Sequence, residues 1–158
     1  MSKKTYQAVI DSPIPGVPSI GICVEGGCLR EIDFLFRHQA PFVEDAAQTT
    51  VRLLQDYFQQ RDIPGSAIEV GSGTPFQRRV WQELTHIPPG ETRSYGELAK
   101  KLRSSARAVA GACRRNPISL LVPCHRVVSK HSLGGFMGKT DGPALAIKRW
   151  LLQHEGHE

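Results

Sequence analysis

Apolar residues recur along this chain with two periods, and the change from one to the other divides it. In the first seventy residues alternation dominates. Tyr6–Asp11 reads as a strand, and Ile20, Ile22, Val24 and then Ile32, Phe34, Phe36 fall on every second position, the spacing of half-buried strands. Glu25, Gly26 and Gly27 supply the turn between the last two runs. Over residues 44–60, Ala47, Val51, Leu54 and Phe58 take helical spacing, and IPGSAIEVGSG reads as a short strand followed by a glycine linker.

From Gly73 onward the period is helical. Thr74, Pro75 and Gln77 combine a capping box with proline at the first helical position, and Phe76, Val80, Leu84 and Ile87 form the apolar stripe until Pro88-Pro89-Gly90 stops it. Ser94 and Glu97 open a second helix with Leu98, Ala99 and Leu102 inward. After Arg103-Ser104-Ser105, Ser104 or Ser105 caps a third helix whose inward face is Ala106, Val109, Ala110 and Cys113, and Asn116-Pro117 ends it. Helix, short turn, helix is the arrangement of a helix-turn-helix unit. Ile118–Val122 reads as a buried strand that Pro123 stops just before Cys124. The pattern predicts an α+β chain in two parts, a small α+β lobe over 1–72 and a helical lobe with a helix-turn-helix over 73–158.

Composition narrows the function. No apolar run approaches the roughly 20 residues of a membrane span, and MSKKTYQ leads into a charged strand where a signal peptide would be apolar, so the chain reads as intracellular and cytoplasmic. Four cysteines, at 23, 28, 113 and 124, make neither a disulfide framework nor paired zinc spacing. The net charge of +5 is unevenly placed: Leu98–Thr140 holds nine basic residues and no acidic one, leaving an acidic remainder. A one-signed block of this kind is the footprint of a polyanion site, and nucleic acid becomes the leading partner class. The outward face of the third helix carries Arg107, Gly111, Arg114 and Arg115 among alanines, a low-bulk surface that lets a backbone approach a duplex while arginines bind phosphate or enter the stack.

Cys124 is the candidate nucleophile. Thiolate is the attacking form, and His125 and Arg126 offer the charge that lowers a thiol pKa; adjacent residues on an extended chain face opposite ways, so His125 reaches Cys124 only through a water or a local turn. A cysteine hydrolase would share such a relay but leaves the basic block unexplained. A helix-turn-helix DNA-binding regulator without catalysis explains the block but not PCHRV.

PCHRVV, the spaced Arg107-Ala108-Val109 and Asn116-Pro117, and Trp150-Leu151-Leu152 with His154-Glu155-Gly156 resemble the O6-alkylguanine-DNA alkyltransferases, the methylated-DNA–protein-cysteine methyltransferases. The likeness is dense from Gly73 to Gly156, through GTPFQRRVW and PGETRSYGELA, and thinner in DSP and LREIDF. It implies a ribonuclease H-like fold for the first lobe and DNA repair by irreversible, single-turnover transfer of an alkyl group from O6-alkylguanine, with O4-alkylthymine as a second adduct, to Cys124. It also implies base flipping through the minor groove, with Arg107 as the finger that fills the vacated stack. His125 would take the thiol proton through water, Glu155 would orient and charge the histidine, Asn116 would buttress the turn, and Tyr95 would donate a proton toward guanine. The carbonyls of Cys124 and Val127 would read the exocyclic amine. Phe136 and Met137 would wall the base pocket, the aromatic of many relatives kept without its hydroxyl; Ala106, Gly111, Arg114, Arg115, Gln77 and Lys130 would contact DNA. The expected partner is duplex DNA bound by a monomer, with cooperative binding along the duplex, nucleoid-associated when bound, with no cofactor. Some relatives hold zinc in the first lobe; Cys23 and Cys28 find no evident set of further ligands here, and no metal is expected.

Overall fold

The computed structural model describes residues 4–64, 68 and 70–156, and the chain divides into one unit ending at Gly71 and another beginning at Ser72. In the first unit, alternation becomes an antiparallel sheet of β1 (Ala8–Asp11), β2 (Ser19–Glu25), β3 (Cys28–Leu35) and β4 (Phe42–Val43), in the order β3-β2-β1-β4. Ile20, Ile22, Ile32 and Phe34 are buried as the period requires, whereas Phe36 lies past the end of β3 and is 55% exposed. The helix expected over 44–60 opens as a 3-10 turn, Asp45–Ala47, before α1 (Gln48–Phe58). Its buried stripe runs through Thr50, Leu54 and Tyr57 at i, i+4 and i+7, so Tyr57 takes the core position expected of Phe58. The short strand expected within IPGSAIEV lies in part outside the described residues. β4 was not legible, because two residues carry no period.

In the second unit, α2 (Pro75–Leu84), α3 (Tyr95–Leu102) and α4 (Ala106–Arg114) start where their caps place them. Both capping boxes form: the Thr74 and Ser94 side chains accept from the Gln77 and Glu97 amides at 3.1 and 3.0 Å, and those two side chains accept in return. Arg103 closes α3 in the left-handed region at φ 54, and Ser105 rather than Ser104 caps α4, accepting from the Ala108 amide at 3.1 Å. The Trp81 indole donates to the Ala112 carbonyl at 2.9 Å and locks α2 to α4. Among the described residues no helix is long and apolar enough to cross a membrane.

Two expectations fail here. The face of α4 that packs inward is Val109 and Ala112; Ala106, Ala110 and Cys113 turn instead toward a cavity, because Trp81 and its hydrogen bond draw the Ala112 side of the helix into the core. Ile118–Val122 is a buried turn and not a strand. Its conformation is held from within: the Val122 amide donates to the Ile118 carbonyl at 2.9 Å, Leu120 takes φ 81, and Asn116 bridges the ends through Nδ2 to the Val122 carbonyl (2.8 Å) and Oδ1 from the Ile118 amide (3.0 Å). Four apolar side chains drive burial whatever backbone carries them, so an apolar run alone could not separate strand from turn.

The remaining elements are β5 (Arg93–Ser94), β6 (Val127–Val128) and α5 (Gly142–His154). β5 and β6 pair in parallel, Arg93 with Val127 and Ser94 with Val128. That pairing sets the start of α3 beside the segment that follows Cys124. Both tryptophans, Trp81 and Trp150, belong to this second unit, so their fluorescence follows its unfolding alone. Thr74→Ala removes one half of a capping box and should lower the stability of this unit by about 1 kcal/mol in urea unfolding; no change in midpoint would mean the cap is not used.

Candidate active site

Pro123, at φ −82 and ψ 66, sits at the centre of an inverse γ-turn, in which the Cys124 amide donates to the Val122 carbonyl at 2.8 Å. The turn delivers the chain into a 3-10 turn, Cys124–Arg126. This supplies the local turn that adjacent Cys and His needed. It also separates the three side chains. Cys124 lines a cavity of about 750 Å³, while His125 and Arg126 are buried away from it.

His125 and Arg126 converge on one carboxylate. His125 Nε2 lies 2.5 Å from Glu155 Oε2, and Arg126 donates Nε to Oε1 at 2.9 Å and a terminal nitrogen to Oε2 at 3.0 Å, a bidentate pair; its other terminal nitrogen donates to the Ile87 carbonyl at 2.6 Å. Burial pushes the Glu155 carboxyl up, but the hydrogen bonds and charges of His125 and Arg126 outweigh it and hold the group at about 2. Burial pushes the His125 pKa down against the pull of Glu155. At neutral pH the pair is therefore a neutral imidazole donating Nε2–H to a carboxylate, which leaves Nδ1 as the basic nitrogen. Arg126 was expected to lower the thiol pKa; it is committed to Glu155 and Ile87 instead.

Burial pushes the Cys124 thiol up, and hydrogen bonding by Asn116, the charge of Lys148 and hydrogen bonding by Ser119 pull it back. Lys148 escaped the sequence reading. Its side chain is fully buried, with Nζ donating to the Val127 carbonyl at 2.7 Å and the Gly135 carbonyl at 2.9 Å, and burial lowers its pKa to about 8. The signal was present: Ala144, Ile147, Lys148, Leu151 and Leu152 are spaced as one apolar stripe, and a lysine within such a stripe must find buried acceptors.

The cavity brings together Tyr95, Ala106, Arg107, Arg114, Cys124, Phe136 and Met137 from the expected set, and adds Cys113, Lys139 and Arg149. Burial, then the neighbouring Cys113 and Cys124, push the Tyr95 phenol up to about 12, so it stays protonated and can donate. Gly134, at φ 71, lets the chain lie on the Tyr95 ring, where a Cβ would come within 2.9 Å. Val127 is buried behind the cavity, its carbonyl already accepting from Lys148. Gly111, Arg115, Gln77 and Lys130 lie off the cavity, and the Gln77 side chain serves the cap of α2.

The geometry thus defines a protein that holds two thiols, Cys124 and Cys113, at the wall of a cationic cavity, with a histidine–carboxylate pair buried behind the first. The family described as 6-O-methylguanine DNA methyltransferase, DNA binding domain, matches residues 75–157. A methylated-DNA–protein-cysteine methyltransferase of Methanosarcina acetivorans is 50% identical over 163 aligned positions, covering 96% of this chain and 98% of that protein. The Salmonella typhimurium protein of the same name is 44% identical over 108, covering 66% of this chain and 60% of its own length. The crystal structure of Mycobacterium tuberculosis OGT in complex with DNA superposes with a TM-score of 0.74 at 35% identity, covering 96% of this chain and 92% of that one. Several of the curated relatives are longer than the match: the chain spans about 60% of the length of the mimivirus and Salmonella proteins. This chain belongs to the methylated-DNA–protein-cysteine methyltransferase family.

The buried carboxylate makes stability depend on pH with a definite sign. A folded-state pKa near 2, below the ordinary 4.5, gives stability that is complete above about pH 5 and is lost as pH falls through about 2, on the order of 3 kcal/mol in all. Glu155→Gln should cost about 3 kcal/mol or more at pH 7, since it leaves Arg126 buried without its counter-charge, and the gap to wild type should narrow toward pH 3. A gap that is constant between pH 7 and pH 3 in urea unfolding would contradict the assignment.

Proposed function

We propose that this chain repairs alkylated duplex DNA by direct reversal, the alkyl group on O6 of guanine passing irreversibly to Cys124. The observation that carries this reading is the position of Cys124: a thiol, with Cys113 beside it, at the wall of a cavity large enough for a base, backed by a fixed imidazole–carboxylate pair and under a rim of cations. About 750 Å³ lies within the range of small-molecule pockets and exceeds the needs of a guanine with an alkyl group.

In the proposed reaction the Cys124 proton leaves through a water to His125 Nδ1, and Glu155 stabilises the imidazolium that forms. The thiolate attacks the alkyl carbon, the S–C bond forms as the C–O6 bond breaks, and the electron pair stays on the guanine, which Tyr95 protonates from its hydroxyl. Lys148 stabilises the thiolate by its charge. It also ties the carbonyl of Val127 to that of Gly135, which supports the Cys124 turn and the cavity wall together. Asn116 keeps the 118–122 turn in shape. General-base help of this kind is worth ~10²–10⁴-fold. Nothing in the set regenerates a thiol from a thioether, so each molecule acts once.

In this reading α3 and α4 are a helix-turn-helix, and the α4 surface of Ala106, Arg107, Gly111, Arg114 and Arg115 lies in the minor groove with Arg107 in the vacated stack. Gln77 and Lys130 lie off the cavity, as a duplex contact would. An antiparallel β3-β2-β1 meander, with the short β4 beside β1 ahead of α1, is the feature that supports a ribonuclease H-like first lobe. The chain acts as a monomer in the cytoplasm, on nucleoid DNA.

Two measurements test this. Mixing the protein with duplex DNA carrying O6-methylguanine should add one methyl group per chain by intact mass, located on Cys124 by peptide mapping, and Cys124→Ala should abolish transfer while retaining DNA binding; repeated turnover would refute the reading. Arg107→Ala should slow transfer from duplex DNA much more than transfer from the free base O6-benzylguanine, on the order of tenfold or more if one flipping contact of about 1.4 kcal/mol is lost. Equal slowing on both would remove Arg107 from the finger role.

A further inference from the structure

The cations at the cavity come from two walls. Arg107 and Arg114 belong to α4, whereas Lys139 belongs to the segment before α5 and Arg149 to α5 itself; all four are exposed, and no carboxylate is among the cavity-lining residues. The second wall has a fixed backbone. Phe136 and Lys139 exchange both backbone hydrogen bonds, at 2.8 and 2.9 Å, around Met137 and Gly138 at φ 55 and 76, the pattern of a two-residue type I′ hairpin turn. Gly138 rests on Arg114: a Cβ there would stand 3.3 Å from the arginine Cγ, so the tip of the hairpin meets α4. On α5, Arg149 follows the fully buried Lys148, whose ammonium grips the Gly135 carbonyl at the base of the same segment.

A neutral base does not require four cations from separate elements at its entrance. An everted nucleotide does, since it carries a phosphodiester on each side of its sugar, and both are drawn to the rim when the base enters. We propose that Lys139 and Arg149 bind a backbone phosphate of the damaged strand next to the everted nucleotide, on the part of the wall contributed by the hairpin and α5, so that the cavity recognises a nucleotide and not a base alone. The inference rests on reading the cavity as the base pocket. It explains why the hairpin tolerates a methionine in the left-handed region, where a side chain is strained: the turn sets Lys139 on the rim.

The test compares wild type, Lys139→Gln/Arg149→Gln and Arg52→Gln, the last removing an exposed charge on α1, with three substrates: the free base O6-benzylguanine, a single-stranded trinucleotide with the same adduct at its centre, and duplex DNA. Transfer of the benzyl group from the free base to wild-type Cys124 is the control for the underlying reading; its failure would sink that reading and not this one. The double variant should react with the free base within about twofold of wild type, react with the trinucleotide about tenfold more slowly, and lower the slope of log affinity against log salt on duplex DNA by about one unit for each cation removed. Arg149→Lys in the Lys139 background should restore the trinucleotide rate. Unchanged trinucleotide rate and salt slope in the double variant would overturn the inference, as would equal slowing on the free base or an equal loss of slope in Arg52→Gln.

Discussion

The Glu155 carboxylate is the constraint on which the second unit depends. It sits one residue beyond α5, almost wholly buried, and takes hydrogen bonds from two consecutive residues of the Cys124–Arg126 turn. Removing such a charge from water costs several kcal/mol, and it is sustained because Arg126 meets both oxygens in a fork while His125 meets one. The consequence is positional. With Arg126 and His125 fixed on Glu155, the turn has one orientation left for Cys124, and it points to the cavity.

Lys148 applies the same logic about two turns earlier, on α5. A fully buried ammonium needs acceptors, and the two it finds belong to β6 and to the segment that walls the cavity. The chain therefore fastens α5 to the Cys124 region twice, once through an anion and once through a cation. Around this core the caps of α2, α3 and α4 set where the helices begin, and Trp81 fixes α4 with its Val109 and Ala112 side inward. The Ala106, Ala110 and Cys113 side is left to line the cavity. Small side chains there serve the cavity and the proposed approach to a duplex at once.

The helix starts at Thr74, Ser94 and the third cap were legible because capping is local: a side-chain oxygen three residues from an amide needs nothing else. Strand alternation in the first unit was legible for the same reason. The 118–122 segment was not, since its shape comes from Asn116 holding both ends and from a left-handed Leu120, neither of which leaves a period. Two-residue strands such as β5 and β6 are equally silent, although their pairing brings Tyr95 to Cys124. The left-handed Met137 also gave no sign, because methionine is a residue that turn patterns do not mark.

The sequence by itself determined the change of period near residue 72, the starts of α2, α3 and α4, the one-signed charge block and, through PCHRVV with its distant glutamate, the family. These are properties of neighbours or of fixed spacing, and they survive without a third dimension. Only the tertiary structure decided which charges serve which purpose. Arg126 and Arg107 are equal in a count of cations; one is buried as the partner of Glu155 and the other is exposed on the cavity. Lys148 and Arg149 are adjacent in the chain and opposite in fate, one sealed against two carbonyls and the other on the rim. A side chain's charge is set by its chemistry, but its solvation and its partners are set by packing, and in a low-dielectric interior packing settles whether that charge holds the fold or faces a ligand.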